Sequence, residues 1–130
     1  MAILIKVSYG ELLDRISILE IKSERIADTA KLKNIRHELA LLTNTWHAAT
    51  LEKNHPQLTA LRHKLKEINS SLWTVEDILR EHERDKKFDA GFIQCARDVY
   101  FTNDRRAAVK REIDTLLGSA LLEEKSYQPY

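Results

Sequence analysis

"LTALRHKLKEINSSLWTVEDIL", residues 58–79, is the stretch on which the fold turns. Its apolar residues Leu58, Leu61, Leu65, Ile68, Leu72, Val75 and Leu79 advance in alternating steps of three and four, the spacing that keeps one stripe on one face of a helix. Upstream, Leu32, Ile35, Leu39, Leu42, Trp46 and Ala49 follow the same rule. "NHPQ" (54–57) separates the two runs, because Pro56 drives the residue before it out of helical space. Two such stripes joined by a short turn predict a long antiparallel coiled-coil hairpin, about 29–53 against 57–85. Its register sets Ala49 opposite Leu61, Trp46 opposite Leu65, Leu42 opposite Ile68, Leu39 opposite Leu72 and Ile35 opposite Val75.

On the N-terminal side, Ser8 followed by Glu11 forms a capping-box pattern, with Val7 and Leu12 placed as a hydrophobic staple. A first helix over 9–27 follows, carrying Leu12, Ile16, Leu19 and Ile26, and Asp28 caps the second. The β-branched run "AILIKV" (2–7) reads as a strand-like arm over 1–7. On the C-terminal side the charged "REHERDKK" (80–87) reads as a fray or turn. Phe88, Asp89 and Ile93 repeat the staple-and-cap signature and open a fourth helix over 90–117, which Gly118 stops. The expectation is one all-α domain over 1–130, an elongated helical bundle (8–118) with a strand arm and a charged tail (119–130).

A chain of 130 residues is long enough for one hydrophobic core. Hydrophobic residues make up 43% and charged ones 32%, with three Gly and two Pro, a balance that suits long helices. Lys and Arg number 21 against 20 Asp and Glu, so no global field draws the chain to nucleic acid or an anionic membrane. Arg105, Arg106, Lys110 and Arg111 are interleaved with Asp98, Asp104, Glu112 and Asp114, a pattern that speaks against a nucleic-acid face. The one cysteine, Cys95, excludes an internal disulfide, and the apolar start is too short for a signal-peptide core or a span. A cytoplasmic location without membrane attachment is expected.

No nucleophile motif or Gly-rich phosphate loop occurs. The five histidines and Cys95 lack ligand spacing on one face, so neither metal nor cofactor is expected. Glu20 with Glu24 and Asp77 with Glu81 sit one turn apart, as cation-binding carboxylates do. Glu11 with Arg15 and Glu76 with Arg80 have the spacing of intrahelical ion pairs.

The fourth helix carries the main irregularity. Its inner face runs Phe92, Ala96, Val99 and Tyr100, Asn103, Ala107, Lys110, Ile113 and Leu117, apolar at both ends and polar in the middle. A buried unpaired amide or ammonium is costly, so these groups need partners, water or a ligand. Three explanations are open. The helix breaks near Thr102 and Asn103; or Asn103 fixes register in a helical interface; or Arg97, Tyr100, Asn103, Arg105 and Lys110 line a pocket for an anionic ligand. On the third helix Trp73 lies off the seam, flanked by Asn69, Glu76 and Arg80, and packs against another helix.

The stretches "SYGELLDRISILEIKSERI", "KLKNIRHEL", "LKEINSSLWTVED", "FIQCARDVYFTNDRRAAVKREI" and "GSALLEEKSYQPY" resemble a family of small, uncharacterised, all-helical bacterial proteins of unknown function. The resemblance spans nearly the whole chain and implies a stand-alone domain with an association to glycan-related proteins. It implies no activity. Its pattern holds Asn69, Trp73, Glu76, Asp77, Arg80, Arg97, Tyr100, Asn103, Asp104 and Lys110, with Glu123, Glu124, Lys125, Ser126 and Tyr127 in the tail. Whether that tail is disordered or folds back over the fourth helix is open.

Ligand-binding candidates are therefore Asn69, Trp73, Glu76, Arg80, Arg97, Tyr100, Asn103, Asp104 and Lys110. The leading functional reading is a non-catalytic oligomeric interaction or adaptor module, since the strongest signals are seams. It would be a homodimer joined through the unpaired arm, with room for a partner protein. The alternative is a binder or enzyme that holds a phosphorylated or sugar-nucleotide ligand at the polar middle of the bundle; whether the chain is an enzyme is left open.

Overall fold

The structure is a computed structural model that describes residues 2–50, 55–126 and 129–130. Among the described residues four helices follow in order: α1 (Tyr9–Arg25), α2 (Thr29–Ala49), α3 (Pro56–Arg84) and α4 (Ala90–Leu117). Local chemistry sets their ends. Ser8 Oγ accepts from the Glu11 N–H at 3.1 Å, Asp28 caps α2 through Lys31 at 2.9 Å, and Asp89 caps α4 through Phe92 at 3.1 Å. Pro56 opens α3, where its missing N–H costs nothing. Gly118 takes the left-handed conformation (φ 66°) that ends α4, and the Ser119 N–H returns to the Asp114 carbonyl. Two helices stop short of their predicted ends: α1 at Arg25 rather than 27, where Ile26 turns extended, and α2 at Ala49, where Thr50 turns extended as its cap, so the predicted run toward residue 53 is broken before it leaves the described residues.

The coiled-coil hairpin is not formed. Among the described residues no Cα of α2 lies within 8 Å of a Cα of α3. The neighbours are instead α1 with α2 and α3 with α4, two antiparallel hairpins, and α1 lies against all three other helices. An apolar stripe states that a face is buried without stating against what. The short connections at 26–28 and 85–89 fold each helix onto its chain neighbour, and both stripes then meet a common core. That core joins Leu12, Leu13 and Ile16 of α1, Trp46 of α2, Leu58, Leu65, Ile68 and Leu72 of α3, and Val109 and Ile113 of α4.

Two further expectations are corrected. Residues 2–8 form no strand; a ladder needs a second chain segment beside it, and none of the described residues supplies one. Ile3, Leu4 and Ile5 remain 89%, 96% and 66% exposed. The fourth helix is continuous through Thr102 and Asn103, which removes the break as an account of its polar middle. No described helix is long and apolar enough to cross a membrane.

Candidate functional site

The site begins where the first turn of α1 meets the last turns of α4. Gly10 packs so closely that a Cβ there would stand 2.4 Å from the Lys110 carbonyl oxygen. Its amide donates to Asp114 Oδ1 at 2.6 Å, so a carboxylate from another helix satisfies a donor the first turn cannot use internally. One turn further along α1, buried Asp14 and Ser17 face α3. Asn69 Nδ2 donates to Asp14 Oδ1 at 2.8 Å and to Ser17 Oγ at 2.7 Å, while Asn69 Oδ1 accepts from Arg106 Nη1 at 3.2 Å. The chain of bonds thus runs from α1 through α3 to α4 and fixes where the Arg106 guanidinium sits.

Lys110 is the second cation of this crossing. Its ammonium donates to Glu11 Oε2 at 2.7 Å and lies 3.7 Å from Asp14 and 3.3 Å from Glu123. Burial opposes its charged form. The Glu11 hydrogen bond and the charges of Asp14, Glu11 and Glu123 outweigh that penalty and hold the ammonium above its ordinary value. For Glu11 burial again works against ionisation, and Lys110 with Arg15 overcomes it, holding the carboxyl below its ordinary value. Glu123 is also held low, first by Lys125 and then, against some burial, by Lys110.

Beside these cations lies a cleft of about 350 Å³. Tyr100, Asn103, Asp104, Arg106, Ala107 and Lys110 form its α4 wall, and Glu123, Lys125 and Tyr130 of the tail form the other. Tyr130 meets the Tyr100 and Phe101 rings edge-on, each at 5.1 Å, and its hydroxyl donates to the Asp104 carboxylate and the Tyr100 carbonyl. Asn103 Oδ1 is buried and accepts no hydrogen bond from the described residues. Arg106, half-buried, spends one donor on Asn69 and makes no ion pair among the described residues.

The structure therefore gathers Asn69, Tyr100, Asn103, Asp104 and Lys110 at one place. It sets the other candidates elsewhere. Trp73 packs under the Arg25 guanidinium at 5.9 Å, Glu76 and Arg80 line a separate hollow on α3, and Arg97 stacks over Phe101 at 5.6 Å. Glu20 and Glu24, spaced for a cation, are occupied by Lys66 at 3.7 and 2.6 Å. Sequence reasoning did not place Glu11, Asp14, Ser17, Arg106, Asp114 or Tyr130 at the site. A signal for some was present: Gly10, Asp14 and Ser17 recur on one flank of a leucine-rich helix, as do Arg106, Lys110 and Asp114 on α4.

Fold and site together define an all-helical protein of two packed hairpins with a polar, cation-bearing cleft at their crossing. The chain belongs to a family of unknown function (DUF6165), whose family model matches residues 3–130. No curated protein and no solved structure matches it.

Proposed function

We propose that the chain binds a small anionic ligand, of the phosphorylated or sugar-nucleotide class, in the cleft along α4. The observation that carries this reading is Arg106: a half-buried guanidinium oriented by Asn69, facing a cleft, with no carboxylate partner among the described residues. A planar fork with free donors suits a phosphate or carboxylate. Asn103 Oδ1 adds a buried acceptor for a ligand hydroxyl or N–H. The Tyr100 and Tyr130 rings add apolar walls, and about 350 Å³ lies within the range of small-ligand sites.

Calorimetric titration with sugar phosphates, nucleotides and sugar nucleotides tests the reading. One class should bind the wild type, and Arg106→Ala should weaken it about 10- to 100-fold, as loss of a charged hydrogen bond does. Silence from every class at millimolar concentration, or equal binding by Arg106→Ala, would remove the proposal.

A second reading, self-association as an interaction module, is favoured by the arm. Ile3, Leu4 and Ile5 stand almost free of the fold, and burying such side chains yields ~1.5–3 kcal/mol each. A second copy that exchanges arms would supply that burial. Sedimentation at tens of micromolar should then show a dimer that Leu4→Asp dissociates; a monomeric wild type excludes it.

A further inference from the structure

The tail leaves α4 at Gly118 and turns back along it. Arg111 donates to the Glu123 carbonyl and the Glu124 carboxylate, both at 3.3 Å. The Glu123 carboxylate reaches Lys110 at 3.3 Å and Lys125 at 2.8 Å. Further on, Tyr130 is seated against Tyr100 and Phe101 at the other end of the cleft. Residues 119–126 have no helix or strand of their own, so side-chain contacts on α4 hold them there.

Of the three carboxylates around Lys110, two are built into the helices. Asp14 is fixed by Asn69, and Glu11 by Arg15 on its own helix. Glu123 alone among them comes from a segment without secondary structure, and it is the most exposed of the three. With the tail away, α4 would present Arg106 and Lys110 one turn apart with Arg111 adjacent. With the tail in place, carboxylates cover Lys110 and Arg111. A phosphate carries more charge than one carboxylate and more acceptor atoms, so it is suited to take Glu123's place and reach Arg106 as well.

We infer that Glu123 holds the position that the ligand's acidic group takes, so that tail docking and anion binding exclude one another. This deepens the reading of the cleft as an anion site and rests on it. The tail is then a built-in competitor, and ligand affinity is set partly by how firmly residues 119–126 sit on α4.

Inorganic phosphate is the probe. It is titrated by calorimetry into the wild type and Glu123→Gln, and tryptic cleavage after Lys125 is followed in the wild type with and without phosphate. Glu123→Gln should bind phosphate on the order of ten-fold more tightly, a typical coupling between linked equilibria, and phosphate should speed cleavage after Lys125. If the wild type binds phosphate but Glu123→Gln binds no more tightly, or cleavage is unchanged, the competition is refuted while the anion site stands. If neither protein binds phosphate at tens of millimolar, the anion site fails and the competition with it.

Discussion

Replacing Lys110 with methionine should lower the unfolding free energy by about 3 kcal/mol, the usual scale for removing one member of a buried charge pair. Methionine restores the packing of the alkyl chain but leaves buried Asp14, beside Asn69, without an ion-pair partner among the described residues, and leaves Glu11 with Arg15. Urea denaturation reads the loss, and a change under about 1 kcal/mol would show that solvent already screens the cluster. The pH profile gives an independent check. Glu11 is held below its ordinary 4.5, so its stabilisation is present above that pH and lost as pH falls through the folded value. Lys110 is held above its ordinary 10.5, so its stabilisation is present below that pH and lost as pH rises through the folded value. The gap between wild type and variant should be widest across the neutral range and close at both extremes.

Gly10→Ala should be nearly as damaging, about 3 kcal/mol, at the upper end of overpacking costs. In an ordinary helix interior this exchange is worth about 1 kcal/mol in the opposite direction. Here the new methyl would meet the Lys110 carbonyl oxygen at 2.4 Å and the Lys110 carbonyl carbon at 3.0 Å. Backbone cannot rotate aside as a side chain can. α1 must therefore lift from α4, which strains the bond between the Gly10 amide and Asp114. Gly91→Ala is the control, because its Cβ would meet the ends of Asp89 and His82 side chains at 3.3 Å and beyond. Thermal unfolding should separate the two variants by several degrees, and equal melting temperatures would mean that the crossing of α1 and α4 is looser than the structure places it.

These two positions also mark what could be read from the sequence. The caps at Ser8, Asp28 and Asp89 and the stop at Gly118 are local chemistry, so those limits were legible, while the ends of α1 and α2, which carry no such signal, were not. Which helices pair was not legible either. The two stripes place Leu65 and Trp46 on facing seams; both enter the core, but the backbones of α2 and α3 do not come together. The clue lay in α1, where "LLDRISILEI" (12–21) has apolar residues on several sides, the mark of a helix surrounded by others. Asn103 and Lys110 were visible as polar residues on an apolar face. Their surroundings were not, because Glu11 and Asp14 lie about a hundred positions away and spacing along one helix cannot show a bond to another. Glu11 does pair with Arg15 as its spacing implies, yet the same carboxylate turns to Lys110. The exposed arm, rather than an α2–α3 seam, is what supports an interaction module.

No residue between Leu72 and Thr102 is buried. The far end of the α3–α4 hairpin thus adds no residue to the buried core, and its side chains meet in edge contacts such as His82 with Phe92 and Phe88 with Phe92. Stability is therefore graded along the molecule, high at the crossing of the helices and low at the hairpin tip. Tyr100, Asn103 and Asp104 stand at the boundary between the two regimes. The cleft therefore takes its Tyr100 end from the thinly packed part of α4 and its Arg106–Lys110 end from the part anchored on α1 and α3.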